Sequence, residues 1–103
     1  MHQVKRIEII ANSFELSKLL KALRTSGIAD HAVIRNVAGT QQHGGKEDLD
    51  MLMIDNVYIL AYCDPENLKG AIETIRPLLN KFGGSCHISD ALEVRSMNCI
   101  EKL

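Results

Sequence analysis

The sequence predicts an α+β fold: a ferredoxin-like βαββαβ chain whose four-stranded antiparallel sheet carries two helices on one face. Two observations lead there. Two strand–helix–strand patterns follow one another, and a glycine-containing stretch without any period separates them. At 103 residues, with 46% hydrophobic and 24% charged side chains, the chain has the size and composition of one domain, 1–103, that folds without disulfides or a structural metal.

Each element has a local cause. Residues 3–11 are short, β-branched and bounded by Asn12-Ser13, as a strand is. Asn12 then caps a helix, with Glu15 at the third position of a capping box. Leu16, Leu19, Leu20 and Leu23 follow at the spacing of one buried helical face, and Gly27 stands where a left-handed residue ends a helix. Residues 31–37 form a second strand and 55–62 a third. Asp64-Pro65 reads as an N-cap followed by proline in the first turn. Leu68, Ala71, Ile72, Ile75, Leu79 and Phe82 continue a second helix, which Pro77 should kink or tighten and Gly83-Gly84 end. Residues 86–95 alternate as a last strand. Between the halves, 38–53 is too long for a hairpin turn, and such loops are usually functional or mobile.

The strands are apolar on both faces. Val57, Ile59 and Ala61 oppose Tyr58, Leu60 and Tyr62, and Ile7 and Ile9 oppose Ile10. Two helices cover one face only, so a partner subunit is expected on the other.

Composition excludes several functions. Twelve Lys and Arg against thirteen Asp and Glu give a net charge of −1, unlike a general nucleic-acid binder. Only four aromatic residues are present, and Asn56-Val57-Tyr58-Ile59-Leu60 lacks the pattern of an RNA-recognition motif. No apolar run is long enough to insert into a membrane. Three cysteines (Cys63, Cys86, Cys99) without CxxC spacing fit a reducing cytoplasm. No nucleophile elbow, HExxH or paired-carboxylate pattern occurs, so neither an enzyme nor a catalytic residue is expected. The histidines show no metal-ligand spacing, and Cys86 and His87 face apart on a strand. A metal held between subunits, by His43, His87 or Cys86 from different chains, stays open.

Two glycine-rich stretches could bring backbone donors to a phosphate or carboxylate: Gly39 to Gly45, and Lys81-Phe82-Gly83-Gly84-Ser85. Taken alone, they are most simply a flexible loop and a helix cap.

The opening Val4-Lys5-Arg6-Ile7-Glu8-Ile9-Ile10-Ala11-Asn12-Ser13-Phe14-Glu15-Leu16 resembles the "KKIEAIIKPFKLDDV" start of the PII-like signalling proteins. Val37-Ala38-Gly39 is similar to the family's "V-x-G" at the start of its T-loop, and Ile88 to Val94 to its last sheet strand, so the likeness spans about 4–96. The resemblance implies a homotrimer that binds a small effector, an adenine nucleotide being the candidate, in clefts between subunits. It implies nitrogen or carbon regulation, with the T-loop docking on a target such as a membrane transporter or metabolic enzyme. Here the T-loop is 38–53, with Gln42, His43, Gly44, Gly45, Lys46, Glu47 and Asp48 as partner-binding residues. Gly39, Gln41, Lys81, Gly83, Gly84 and Arg95 become the effector-binding candidates.

The chain departs from that pattern in three places. The T-loop has no tyrosine; the phosphate-binding "TGKIGDGK" is reduced to Lys81–Ser85; and the terminal "RIRTGE" becomes Arg95-Ser96-Met97-Asn98. Losing cationic partners predicts weak triphosphate binding and favours a less charged nucleotide or another metabolite. An ACT-like small-molecule sensor shares the element order, but the stand-alone length and long central loop count against it.

Overall fold

The computed structural model describes residues 1–28, 30–37 and 55–95. Four strands, β1 (His2–Asn12), β2 (His31–Val37), β3 (Asn56–Cys63) and β4 (Ser85–Glu93), form one sheet in the order β2-β3-β1-β4. All three pairings are antiparallel. Helices α1 (Leu16–Thr25) and α2 (Leu68–Phe82) lie together on one face. This is the expected ferredoxin-like arrangement, with strand ends within two residues of those read from the sequence.

The core forms where the helix stripes meet the odd positions of the central strands. Ile7, Ile9, Val57, Ile59 and Ala61 are at most 1% exposed and pack against Leu19, Leu23, Ala71 and Ile75. Burying each such aliphatic side chain contributes roughly 1.5–3 kcal/mol, so this one layer dominates the stability. Ser26, at the C-terminal end of α1, joins Thr74 near the middle of α2, their hydroxyls 3.0 Å apart. Toward the β4 edge the packing opens into an apolar cavity of about 290 Å³, lined by Ile72, Ile75, Leu79, Cys86 and Ile88 among others.

Both helices start differently from the expected caps. Asn12 does cap, its Oδ1 accepting from the Phe14 amide at 2.9 Å, but the first turn is a 3-10 turn over Ser13–Glu15. Glu15 does not close a capping box; its carboxylate lies 3.6 Å from Lys18. Asp64 holds the extended N-cap backbone ahead of Pro65, yet its side chain makes no capping bond. It is instead 2.8 Å from the His2 ring nitrogen, and that cross-sheet partner outcompetes the local amides. Pro77 sits within α2, which runs unbroken to Phe82 and ends on Gly83 at φ +85°.

β2 is irregular at its end. A register shift between Arg35 and Val37 coincides with Asn36 at φ +59°, a left-handed geometry that asparagine tolerates. The bulge redirects the chain just before residue 38.

Candidate functional site

The effector candidates separate into two groups at opposite ends of the sheet. Gly83 and Gly84 cross the C-terminal end of β1, where Ile10 pairs with Ser85. Val37 and Asn56 are paired at the same end, so the segment between them springs from there. The Asp55 carbonyl adds a 2.8 Å bond to the Ser13 amide that fixes its re-entry point. Lys81, in the last turn of α2, places its ammonium 5.3 Å from the centre of the Phe82 ring. Gly39, Gln41 and Gln42 through Asp48 lie outside the described residues.

Arg95 stands at the other end, just past β4, where Glu93 pairs with His2. Its Nε donates to Glu93 at 2.7 Å. It lines a polar cavity of about 230 Å³ with Gly27, Asp30, Tyr62, Asp64, Asn67 and Glu93. Carboxylates outnumber cations there, and Glu93 and Asp64 are engaged by Arg95 and His2. Eight residues of extended β1 separate the ends, ~26 Å at about 3.3 Å per residue. One chain therefore cannot bring Arg95 and Gly84 onto the same small molecule.

A third group was not anticipated from the residues. Arg6 and Glu8, at even positions of β1, emerge on the helix-free face among Ile10, Tyr58, Leu60 and Tyr62. The Tyr58 hydroxyl donates to Glu8 Oε2 at 2.6 Å and Arg6 donates to Oε1 at 3.0 Å. The Tyr58 bond, and then Arg6, hold the Glu8 carboxyl below the usual carboxylate range against partial desolvation. The same bond pushes the Tyr58 phenol up. Arg6 Nε is shielded from water and has no acceptor among the described residues. Strand alternation is the signal that could have found this cluster: two opposite charges at i and i+2 share the face expected to be covered.

Cys86 lines the apolar cavity on the helix side, whereas His87 lies opposite Glu8 on the other face. Among the described residues no group of three or more His, Cys, Asp or Glu is gathered to hold a metal ion. Burial raises the Cys63 and Cys86 thiols above their ordinary range. Among the described residues, no helix is long and apolar enough to cross a membrane.

The fold recurs in solved structures. CPII from Thiomonas intermedia K12 bound to ADP, AMP and acetate is 20% identical, with 91% of each chain covered and a TM-score of 0.77. The same protein bound to ADP and bicarbonate matches with the same coverage, identity and score. A protein from Thermus thermophilus, described as a PII-like signalling protein, covers 91% of this chain and 92% of its own at 13% identity and a TM-score of 0.65. A comparison with curated proteins finds no match. The family model for nitrogen regulatory protein P-II matches residues 4–98, and the chain belongs to that family of regulatory signalling proteins, in which trimers and a T-loop are typical.

Proposed function

We propose that this chain is a cytoplasmic regulatory sensor that assembles as a homotrimer and takes a small effector of the adenine-nucleotide class between neighbouring copies. One observation carries the reading: the glycine-rich end and the Arg95 end lie at opposite ends of one sheet, so only two copies side by side can complete a site. The ADP and AMP bound by CPII support the effector class.

Charge distributes the nucleotide. Asp30, Asp64 and Glu93 disfavour phosphate and suit hydroxyl or amino donors, so that half accommodates the nucleoside. Lys81 and the Gly84 backbone suit the phosphates of the neighbouring copy's ligand, the Gly83 amide being taken by the Leu79 carbonyl at 2.8 Å. So few cations favour AMP or ADP over ATP. Binding shifts the conformation of 38–53, which then docks on a protein target such as a membrane transporter or metabolic enzyme. Such coupling is typically worth about 1–3 kcal/mol.

Titration calorimetry with AMP, ADP, ATP and bicarbonate, beside light scattering of the unliganded protein, tests this. The expected result is three times the protomer mass and saturable heat with AMP or ADP, weaker with ATP. No heat with any nucleotide would overturn the effector class, and a monomer would overturn the shared site.

A further inference from the structure

We propose that the apolar cavity between α2 and β4 binds a small amphiphilic carboxylate, its aliphatic chain inside and its carboxylate on Arg76. One chain builds this cavity, on the helix side of the sheet, so the site stands apart from the effector site proposed above.

Two elements leave the space open. On α2, Ile72, Ile75, Arg76, Leu79 and Asn80 recur at the spacing of one helical face, and all of them line the cavity. Ile75 is buried in the core, whereas Ile72 and Leu79 stay half-buried. Across from them β4 is an edge strand, and its small Cys86 leaves room beneath the helix. Ile88 pairs with the buried Ile7 at the cavity floor, yet it remains 38% exposed. The volume is about 290 Å³. An aliphatic cavity of ~150 Å³ already suffices for a benzene-sized guest.

The rim selects the chemistry of the guest. Arg76 is exposed and has no hydrogen-bond or ion-pair partner among the described residues. Its planar fork matches a carboxylate through two parallel bonds, and Asn80, one turn on, offers a further amide donor. A single cation suits a monocarboxylate better than a phosphate monoester, which carries nearly twice the charge. Among the described residues the lining holds no carboxylate to repel it. Ile72 and Leu79 stand about 10 Å apart along the helix axis, the length of a chain of about six to eight carbons.

Octanoate is the probe, and octanol is its uncharged counterpart. Titration calorimetry on wild type and Arg76→Gln gives the affinities, and methyl NMR of isoleucine-labelled protein locates the guest. Octanoate should saturate and shift Ile72, Ile75 and Ile88, while Ile10 and Ile34 on the helix-free face stay unmoved. Arg76→Gln alters an exposed side chain and should keep the fold, which circular dichroism checks. It should weaken octanoate by about tenfold and leave octanol within about twofold. Octanoate that never saturates would overturn the proposal, and so would shifts confined to Ile10 and Ile34, the mark of adhesion to the exposed sheet face. An Arg76→Gln variant that loses both ligands equally, or neither, would overturn the carboxylate pairing and the proposal with it.

Discussion

Gly84 crosses the end of β1 so closely that a Cβ there would stand 2.8 Å from the Ile10 carbonyl oxygen. Its φ of +115° is a second constraint, since side-chain-bearing residues rarely adopt it. The neighbouring atom is backbone and cannot turn away. Gly84→Ala is therefore expected to destabilise the fold by about 2 kcal/mol or more, and to detach the turn that presents Gly83. The same substitution at Gly70, inside α2 with open space beyond it, should stabilise by about 0.5–1 kcal/mol through helix propensity. Denaturant melts of the two variants should give opposite signs, and equal signs would overturn both constraints on Gly84.

The Glu8–Tyr58 bond makes a prediction about acid. Glu8 titrates below its unfolded value in the folded chain, chiefly through Tyr58 and then Arg6. The sign follows from linkage: the contribution is complete above the unfolded glutamate value, about 4.3, and disappears as pH falls through the lower folded value. Tyr58→Phe removes the leading cause and brings the folded value nearer the unfolded one. The variant should be less stable than wild type near neutrality, and the difference should shrink on acidification below about pH 4. Thermal melts between neutral pH and pH 3 measure it; a gap that stays constant would mean that Tyr58 acts through packing alone.

Much of this architecture is legible residue by residue. Val57, Ile59 and Ala61 alternate against Tyr58, Leu60 and Tyr62, and the first three are wholly buried. Leu19 and Leu23 likewise declare the inner face of α1. What local pattern cannot encode is pairing at a distance. Tyr58 reaches Glu8, fifty residues away in the chain, because the register sets Ile10 opposite Tyr58. Asp64 has the context of a helix cap, yet it turns to His2, which only the folded sheet brings near. The cavity around Arg95 was hidden for the same reason. Asp30, Asp64 and Glu93 sit at the ends of separate elements, and each alone reads as a solvated surface carboxylate.

Arg95 offers a direct probe of that end. It is exposed and its ion pair with Glu93 is a surface one, so Arg95→Gln should change the unliganded stability by no more than about 0.5 kcal/mol. It also leaves Glu93 unneutralised in a cavity already bearing Asp30 and Asp64. Because this end takes the nucleoside, ADP and adenosine binding should weaken together, by about tenfold. Titration of each ligand reads this out, and a loss confined to ADP would place the phosphates at this end instead.

The segment between β2 and β3 can be tested apart from the sheet, because its roots are fixed independently. Val37 and Asn56 are paired, and the Ser13 amide holds Asp55 at 2.8 Å. Paired antiparallel residues lie about 5 Å apart, so the stubs left by deleting Gln41–Asp50 can close a turn without pulling on either strand. Among the described residues, the core around Ile9, Leu23 and Ile59 is drawn from 7–28 and 57–75. The deletion should keep the thermal midpoint and the oligomer mass, and abolish capture of the protein target. Sedimentation shows whether assembly persists, and co-purification shows whether the target is lost. A deletion variant that still captured the target would move the docking surface from this segment to the sheet's own periphery.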